Sequence, residues 1–311
     1  MNEKLYKAAV NLASEYLRIN YDYTWLKAML LKGKQMKKHG TLITGSSHAL
    51  CGIDERYITN CVNCSMHSQD IYYDFLCAKD VLEHGNSGAY DKGIIIMGYY
   101  IAFQDLSKST YAREKMITPI YYPIFHDAHN WNEPIEQDLW QKIGKMPEKA
   151  KSICETLALQ TLLLQGTYYS VSNVRKPFFD FQNRPWHTLS AQEKSDWGVK
   201  RTDSHNKLIV HTASLQENCE IMKDYVHLLT LHHIMPIVAI TPFTAAYNNL
   251  IHPEFKTAIL EMLSKIPEDV HFIDFNESEY FDDKDFIDTD HLNAGGAGKF
   301  SYLLNELFCI P

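Results

Sequence analysis

Two short stretches at opposite ends of the sequence carry the residue types of acyl-transfer chemistry. The first runs from Thr41 to Leu50, where small strand-compatible residues break into Gly45-Ser46-Ser47. A serine that leaves a buried strand at a tight turn stands at the carboxyl edge of a sheet, where open α/β folds keep their chemistry. Alone, Gly-Ser-Ser is an ordinary turn, and its meaning depends on a base. The second stretch, Phe286 to Gly298, offers one: Asp288 precedes His291 by three residues, and a glycine-rich run follows. A carboxylate there accepts a hydrogen bond from the imidazole, fixes its tautomer and stabilises its charged form once it has taken a proton.

The surrounding elements must bring these stretches together. Residues 3 to 38 read as helical, with Leu5, Ala8, Ala9, Leu12, Tyr16 and Leu17 on one face and a break near Asn20-Tyr21-Asp22. Leu42-Ile43 opens a first strand, and Tyr57 to Cys64 reads as a second. Gly93 to Tyr100 is a continuous apolar run flanked by glycines, as expected of a strand buried on both faces. Lys207 to Val210 closes a loop or adds a short edge element. Leu215 to His232 has helical periodicity and leads into the strand Ile234 to Thr241. Glu254 to Lys265 is an amphipathic helix, Val270 to Phe275 a fifth strand, and a last helix spans about 296 to 308.

Strands alternating with helices predict an α/β fold, a parallel sheet of about five strands with helices on both faces. Residues 1–311 read as one such domain, preceded by N-terminal helices. The stretch from about 105 to 205 breaks the rhythm. It is rich in Pro, Trp, Tyr and His, as in Tyr121-Tyr122-Pro123 and Phe178 to His187, and is read as a helical and looped insertion or cap.

Composition narrows the function. A net charge of -8 argues against a sequence-independent nucleic-acid partner, which would need an excess of Lys and Arg. No apolar run approaches the roughly 20 residues of a membrane span, and no secretory h-region opens the sequence. Seven cysteines, an odd number in a long chain, suggest reduced thiols and a cytoplasmic setting. Cys61-x-x-Cys64-x-x-His67 has no second Cys pair at ligand spacing, and His126 and His129 read as polar residues of a loop, so no metal is expected. No Gly-x-Gly-x-x-Gly or Walker-type loop points to a nucleotide, and no cofactor is expected.

With both stretches in view, the chain resembles the SGNH, or GDSL-like, hydrolase superfamily, a flavodoxin-like three-layer fold. Gly45-Ser46-Ser47 resembles its first motif with Ser46 in place of the aspartate, and Asp288-Thr289-Asp290-His291 its last. The trailing His-Leu-Asn-x-x-Gly is similar to the branch of polysaccharide O-acylation enzymes and D-alanyl-lipoteichoic acid transfer proteins. The resemblance implies Ser47 as nucleophile in preference to Ser46, His291 as general base, and Asp288 as orienting acid in preference to Asp290. It also implies an oxyanion donor at the amide of Ser65. The family's third block departs here: no asparagine follows Gly98, so Tyr99 or Tyr100 through its hydroxyl, or Gln104, would stand in. Tyr247, in the loop Thr241 to Tyr247, is a candidate substrate contact. The implied function is a serine esterase or O-acyltransferase on a small-molecule or glycan substrate; the alternative is a non-catalytic glycan-binding or assembly protein that keeps the fold.

Overall fold

The protein is described by a computed structural model covering residues 3–135, 138–143, 147–165 and 184–308. Five strands, β1 (Gly40–Gly45), β2 (Cys61–Asn63), β3 (Tyr90–Met97), β4 (Met235–Ile240) and β5 (His271–Asp274), form an all-parallel sheet in the order β2-β1-β3-β4-β5. Among the described residues the α-helices of six residues or more, in chain order, are α1 (Glu3–Ile19), α2 (Tyr21–Lys34), α3 (Ser47–Gly52), α4 (Ile71–His84), α5 (Glu148–Gln165), α6 (Ala191–Asn206), α7 (Thr212–Leu231), α8 (Glu254–Ser264) and α9 (Ala294–Leu307). The fold is α/β, with helices on both sheet faces.

The chain forms two compact units. The sheet lies in the unit made of Gly33–Asp105 and Phe179–Pro311. Alternation along each strand sorts its two faces. Ile43, Ile94, Ile96, Ile237 and Ala239 join one cluster with Ala49 and Ile53 near α3, Phe300 and Leu304 of α9, and Trp186. On the other face, Thr44 bonds Tyr225 of α7, and a side chain at Gly93 would run into Leu229 of the same helix. Burial on both faces explains why β1, β3 and β4 are near-continuous apolar runs. The strand order reverses between β1 and β3, and the crevice at that switch point is where open sheets bind ligands.

The second unit comprises Met1–Lys32 and Leu106–Phe178. There α1 packs along α5, and Tyr16 meets the Trp140 ring with centroids 4.6 Å apart. Arg113–Tyr121 winds as a π-helix around Pro119, whose missing N–H removes one ordinary helical bond.

The elements depart from expectation in two places. The second strand shrinks to three residues: Glu55–Tyr57 is a 3-10 turn, and Asn60 adopts a left-handed φ of 48° that stops the extended chain from starting earlier. Of the two alternatives for Lys207–Val210, the structure has the loop closure, a 3-10 turn between α6 and α7, and not the edge element. The expected insertion at 105–205 divides between the units, and its last part, α6, belongs with the sheet. Of the aromatic stretch from Phe178 to His187, residues 178–183 lie outside the described residues.

Candidate active site

β1 ends at Gly45, whose φ of +146° and position 2.1 Å from Ile96 O, measured to the Cβ another residue would carry, leave room for glycine alone. The chain then turns at once into α3. Ser46 is its N-cap, its Oγ accepting from the His48 amide at 3.4 Å, and Ser47 is the first helical residue. At the other end of the chain, Ile287 N donates to His291 O at 2.9 Å and Thr244 N to Thr289 O at 3.1 Å. These bonds pin the loop between β5 and α9 beside the exit of β4.

The two stretches meet at hydrogen-bond distance. His291 Nε2 lies 2.8 Å from Ser47 Oγ, and His291 Nδ1 lies 2.9 Å from Asp288 Oδ2 and 3.0 Å from Asp288 Oδ1. Asp288 Oδ1 also accepts the amides of Asp290 at 3.0 Å and His291 at 2.8 Å, so the carboxylate is fixed by the loop it sits on. With Nδ1–H donating to Asp288, Nε2 is left as the acceptor for the serine hydroxyl. Burial disfavours a charged His291, but Asp288 and then Asp290 outweigh it and hold its pKa above the ordinary imidazole value.

Beside this chain of bonds runs another. His48 Nε2 lies 3.2 Å from Asp290 Oδ2, and His48 Nδ1 lies 3.2 Å from Ser46 Oγ. Asp290 takes a fork from Arg201 of α6: Nε to Oδ1 and Oδ2 at 2.9 and 3.0 Å, and Nη2 to Oδ2 at 2.9 Å. Thr289 Oγ1 adds a bond of 2.9 Å. Burial works against the Asp290 charge, but Arg201, His291 and His48 together keep this carboxyl well below the usual range. His48 is driven the opposite way, its pKa lowered chiefly by burial. Gly98, at the end of β3, makes room for it: a Cβ there would lie 2.8 Å from His48 Cε1.

The other expected residues sit differently. The Ser65 amide donates to Asn63 Oδ1 at 3.1 Å, so the expected oxyanion donor is engaged in a local turn, because Asn63 closes that turn with its side chain. Tyr99 OH donates to Asp274 Oδ2 at 2.6 Å and ties the end of β3 to that of β5. Tyr247 is buried with its hydroxyl 2.5 Å from His205 Nδ1, and the His205 ring stacks on Tyr100 at a centroid distance of 3.6 Å. Tyr99 and Tyr247 thus brace the walls of the site, each through a hydroxyl already bonded to a protein partner.

His48, Asp290 and His291 are the nearest approach to a metal-ligand set here. They do not suit a cation, because the Arg201 guanidinium occupies both oxygens of Asp290. A cavity of about 210 Å³ adjoins the acid end of the site, lined by Trp197, Lys200, Arg201, Ser204, Asp288 and Thr289. Sequence reasoning missed His48 and Arg201. The first was visible as the residue directly after Ser47; the second gave no signal, being one basic residue of a polar helix far from both motifs.

No family model matches the chain, and no curated protein matches it. Its fold is similar to a solved structure described as "a putative platelet activating factor from Streptococcus pneumonia", at 11% identity and a TM-score of 0.44, over 97% of this chain and 98% of that one. A likeness of that strength says nothing about activity.

Proposed function

We propose that the chain is a serine-dependent esterase or O-acyltransferase of the SGNH type, moving a small acyl group on or off a carbohydrate hydroxyl. The observation that carries this reading is the continuous chain Ser47–His291–Asp288, with links of 2.8 and 2.9 Å. Ser47 Oγ attacks the acyl carbonyl carbon while His291 Nε2 takes its proton. The tetrahedral adduct then collapses, the C–O bond to the leaving alcohol breaks, and His291 returns the proton to that oxygen. Water or a second hydroxyl attacks the acyl-serine with His291 again as base, freeing Ser47. The Ser47 amide, at the first helical position and without an intrahelical acceptor, suits one oxyanion donor. No cofactor enters this scheme. The odd cysteine count supports a cytoplasmic setting, and no helix among the described residues is long and apolar enough to cross a membrane.

A second reading, a non-catalytic glycan-binding or assembly protein, is favoured by two observations. The Ser65 amide is engaged by Asn63, and Ser47 is only 6% exposed. A fluorophosphonate probe separates the two. Under the enzymatic reading the wild type is labelled and Ser47→Ala is not. Absence of labelling in the wild type selects the binding reading, and labelling that survives the substitution defeats the assignment of Ser47.

A further inference from the structure

Two carboxylates compete for one imidazole proton. Asp288 Oδ2 stands 2.9 Å from His291 Nδ1, and Asp290 Oδ1 stands 3.6 Å from the same nitrogen. Both belong to the same loop and both are buried. The resemblance favours Asp288 by its motif position, and the structure shows what else separates the two. The difference lies in what else holds them. Asp288 is held by two backbone amides of its own loop. Asp290 is drawn away by the Arg201 fork, by Thr289 Oγ1 and by His48 Nε2, which together engage both of its oxygens.

We propose that Arg201 is the positioning residue of this site: by clamping Asp290 it leaves Asp288 as the sole acceptor for His291, and through Asp290 and His48 it braces the turn that carries Ser47. This deepens the esterase or acyltransferase reading and rests on it. Arg201 touches no reacting atom and acts through Asp290. In the bracing branch, His48 Nε2–H donates to Asp290, so Nδ1 accepts the Ser46 hydroxyl, and Ser46 caps the helix that Ser47 begins. A planar fork suits this task, because its donors lie in one plane with the carboxylate and fix its rotation; a lysine ammonium supplies charge without that constraint.

The consequence for proton transfer follows from the groups that face His291. Asp288 and Asp290 come from its own loop, and His48 of α3 stacks on it. Arg201 and His205 lie on α6, and Tyr100 and Tyr247 pack against His205 from the β3 and β4 exits. Arg201 is the only fixed cation among them. With it gone, Asp290 keeps its charge beside His291 and turns toward Nδ1. The imidazole is then paired to two carboxylates and holds its proton to higher pH, where it no longer serves as a base.

The test is an NMR titration of the His291 imidazole in the full chain, for wild type, Arg201→Met and Arg201→Lys, with fluorophosphonate labelling rates across the same pH range. The expected midpoint rises by about 1 pH unit in Arg201→Met, the scale on which a neighbouring charge acts, and by less in Arg201→Lys. Labelling at neutral pH slows about tenfold in Arg201→Met and recovers as the pH is raised. An unchanged or lowered midpoint overturns the assignment. Where Arg201→Met does not fold, as judged by its circular dichroism, Arg201→Lys decides, and a wild-type midpoint in that variant overturns it. Failure of the wild type to label defeats the enzymatic reading instead, and leaves the titration to judge Arg201 by itself.

Discussion

His48 and His291 lie face to face, with ring centroids 5.1 Å apart and planes 20° from parallel, each bonded to its own aspartate. Their surroundings push them in opposite directions. Burial lowers the pKa of His48, whereas the two carboxylates raise that of His291 against the same burial. Titratable neighbours driven apart in this way are biased to different forms, His48 toward the neutral ring and His291 toward the protonated one, the division that an acid–base site uses.

The pH dependence follows from that division. A general base works in its neutral form, so labelling of Ser47 rises with pH through the His291 midpoint. Because that pKa is raised, the midpoint lies above the ordinary imidazole value of about 6.5. The His48 pKa is shifted the other way by burial, so any ionisation of that ring falls on the acid side of the His291 midpoint. Initial labelling rates between pH 5 and 9 check this; a midpoint below the ordinary value contradicts the arrangement.

Asp288→Asn replaces an acceptor of the Nδ1–H with a group that can present its own N–H there. The tautomer that leaves Nε2 free for Ser47 is then no longer favoured. A fall of about 10⁴ in acylation rate is expected, as for the corresponding change in serine proteases. The backbone bonds that Asp288 Oδ1 accepts survive in Asn, so thermal stability should drop little. Rates and melting curves measured together separate this from a variant that is merely unfolded.

Gly98→Ala places a methyl 2.8 Å from His48 Cε1 and 3.0 Å from its Nδ1. The ring must tilt, straining both its bond to Ser46 and its bond to Asp290. The expected cost is about 1–3 kcal/mol, typical of overpacking, together with slower Ser47 labelling. Gly45→Ala is harsher, since its Cβ meets a backbone oxygen at a φ that other residues rarely adopt. Soluble yield and urea midpoints of the two variants should rank in that order.

Asp74, buried on α4, accepts from Gln69 Nε2 at 2.6 Å, below the turn at Gly45 that precedes Ser46. Burial pushes its carboxyl up to about 8. A folded-state pKa above the unfolded one means a stabilisation fully present at acid pH, below the unfolded value of about 3.9, and lost as pH rises through the folded value. Asp74→Asn removes this titration. Urea unfolding at pH 5 and pH 9 should show the variant gaining on wild type as pH rises, by on the order of 4 kcal/mol for the three pH units between pH 5 and the folded value.

The sequence displayed the sheet where burial on both faces forces a run of apolar residues, as in Ile94-Ile95-Ile96 and Ile237-Val238-Ala239-Ile240. It misread the second strand, because a three-residue edge strand leaves little pattern and the left-handed Asn60 is indistinguishable from an extended asparagine. Ser47, Asp288 and His291 could be picked out because each stands in a short local motif at a strand exit. Arg201 could not. Its partner is 89 residues away, and the α6 helix carrying it falls in a stretch without strand–helix rhythm. The fates of Ser65, Tyr99 and Tyr247 were hidden for a related reason: each depends on which single atom its polar group meets, a matter of rotamer and loop path rather than of residue type.

The strand order carries one further consequence, for the order of synthesis. The hydroxyl on the β1 exit leaves the ribosome early, and the imidazole that would activate it comes 244 residues later, after β5. In the meantime Ser47 is an ordinary alcohol with no base within reach. Only when β3, β4 and β5 have been laid down beside β1 does the last loop arrive over it. Under the esterase reading, reactivity would be timed to assembly, and a chain stalled anywhere before that loop would lack the base that the reading requires.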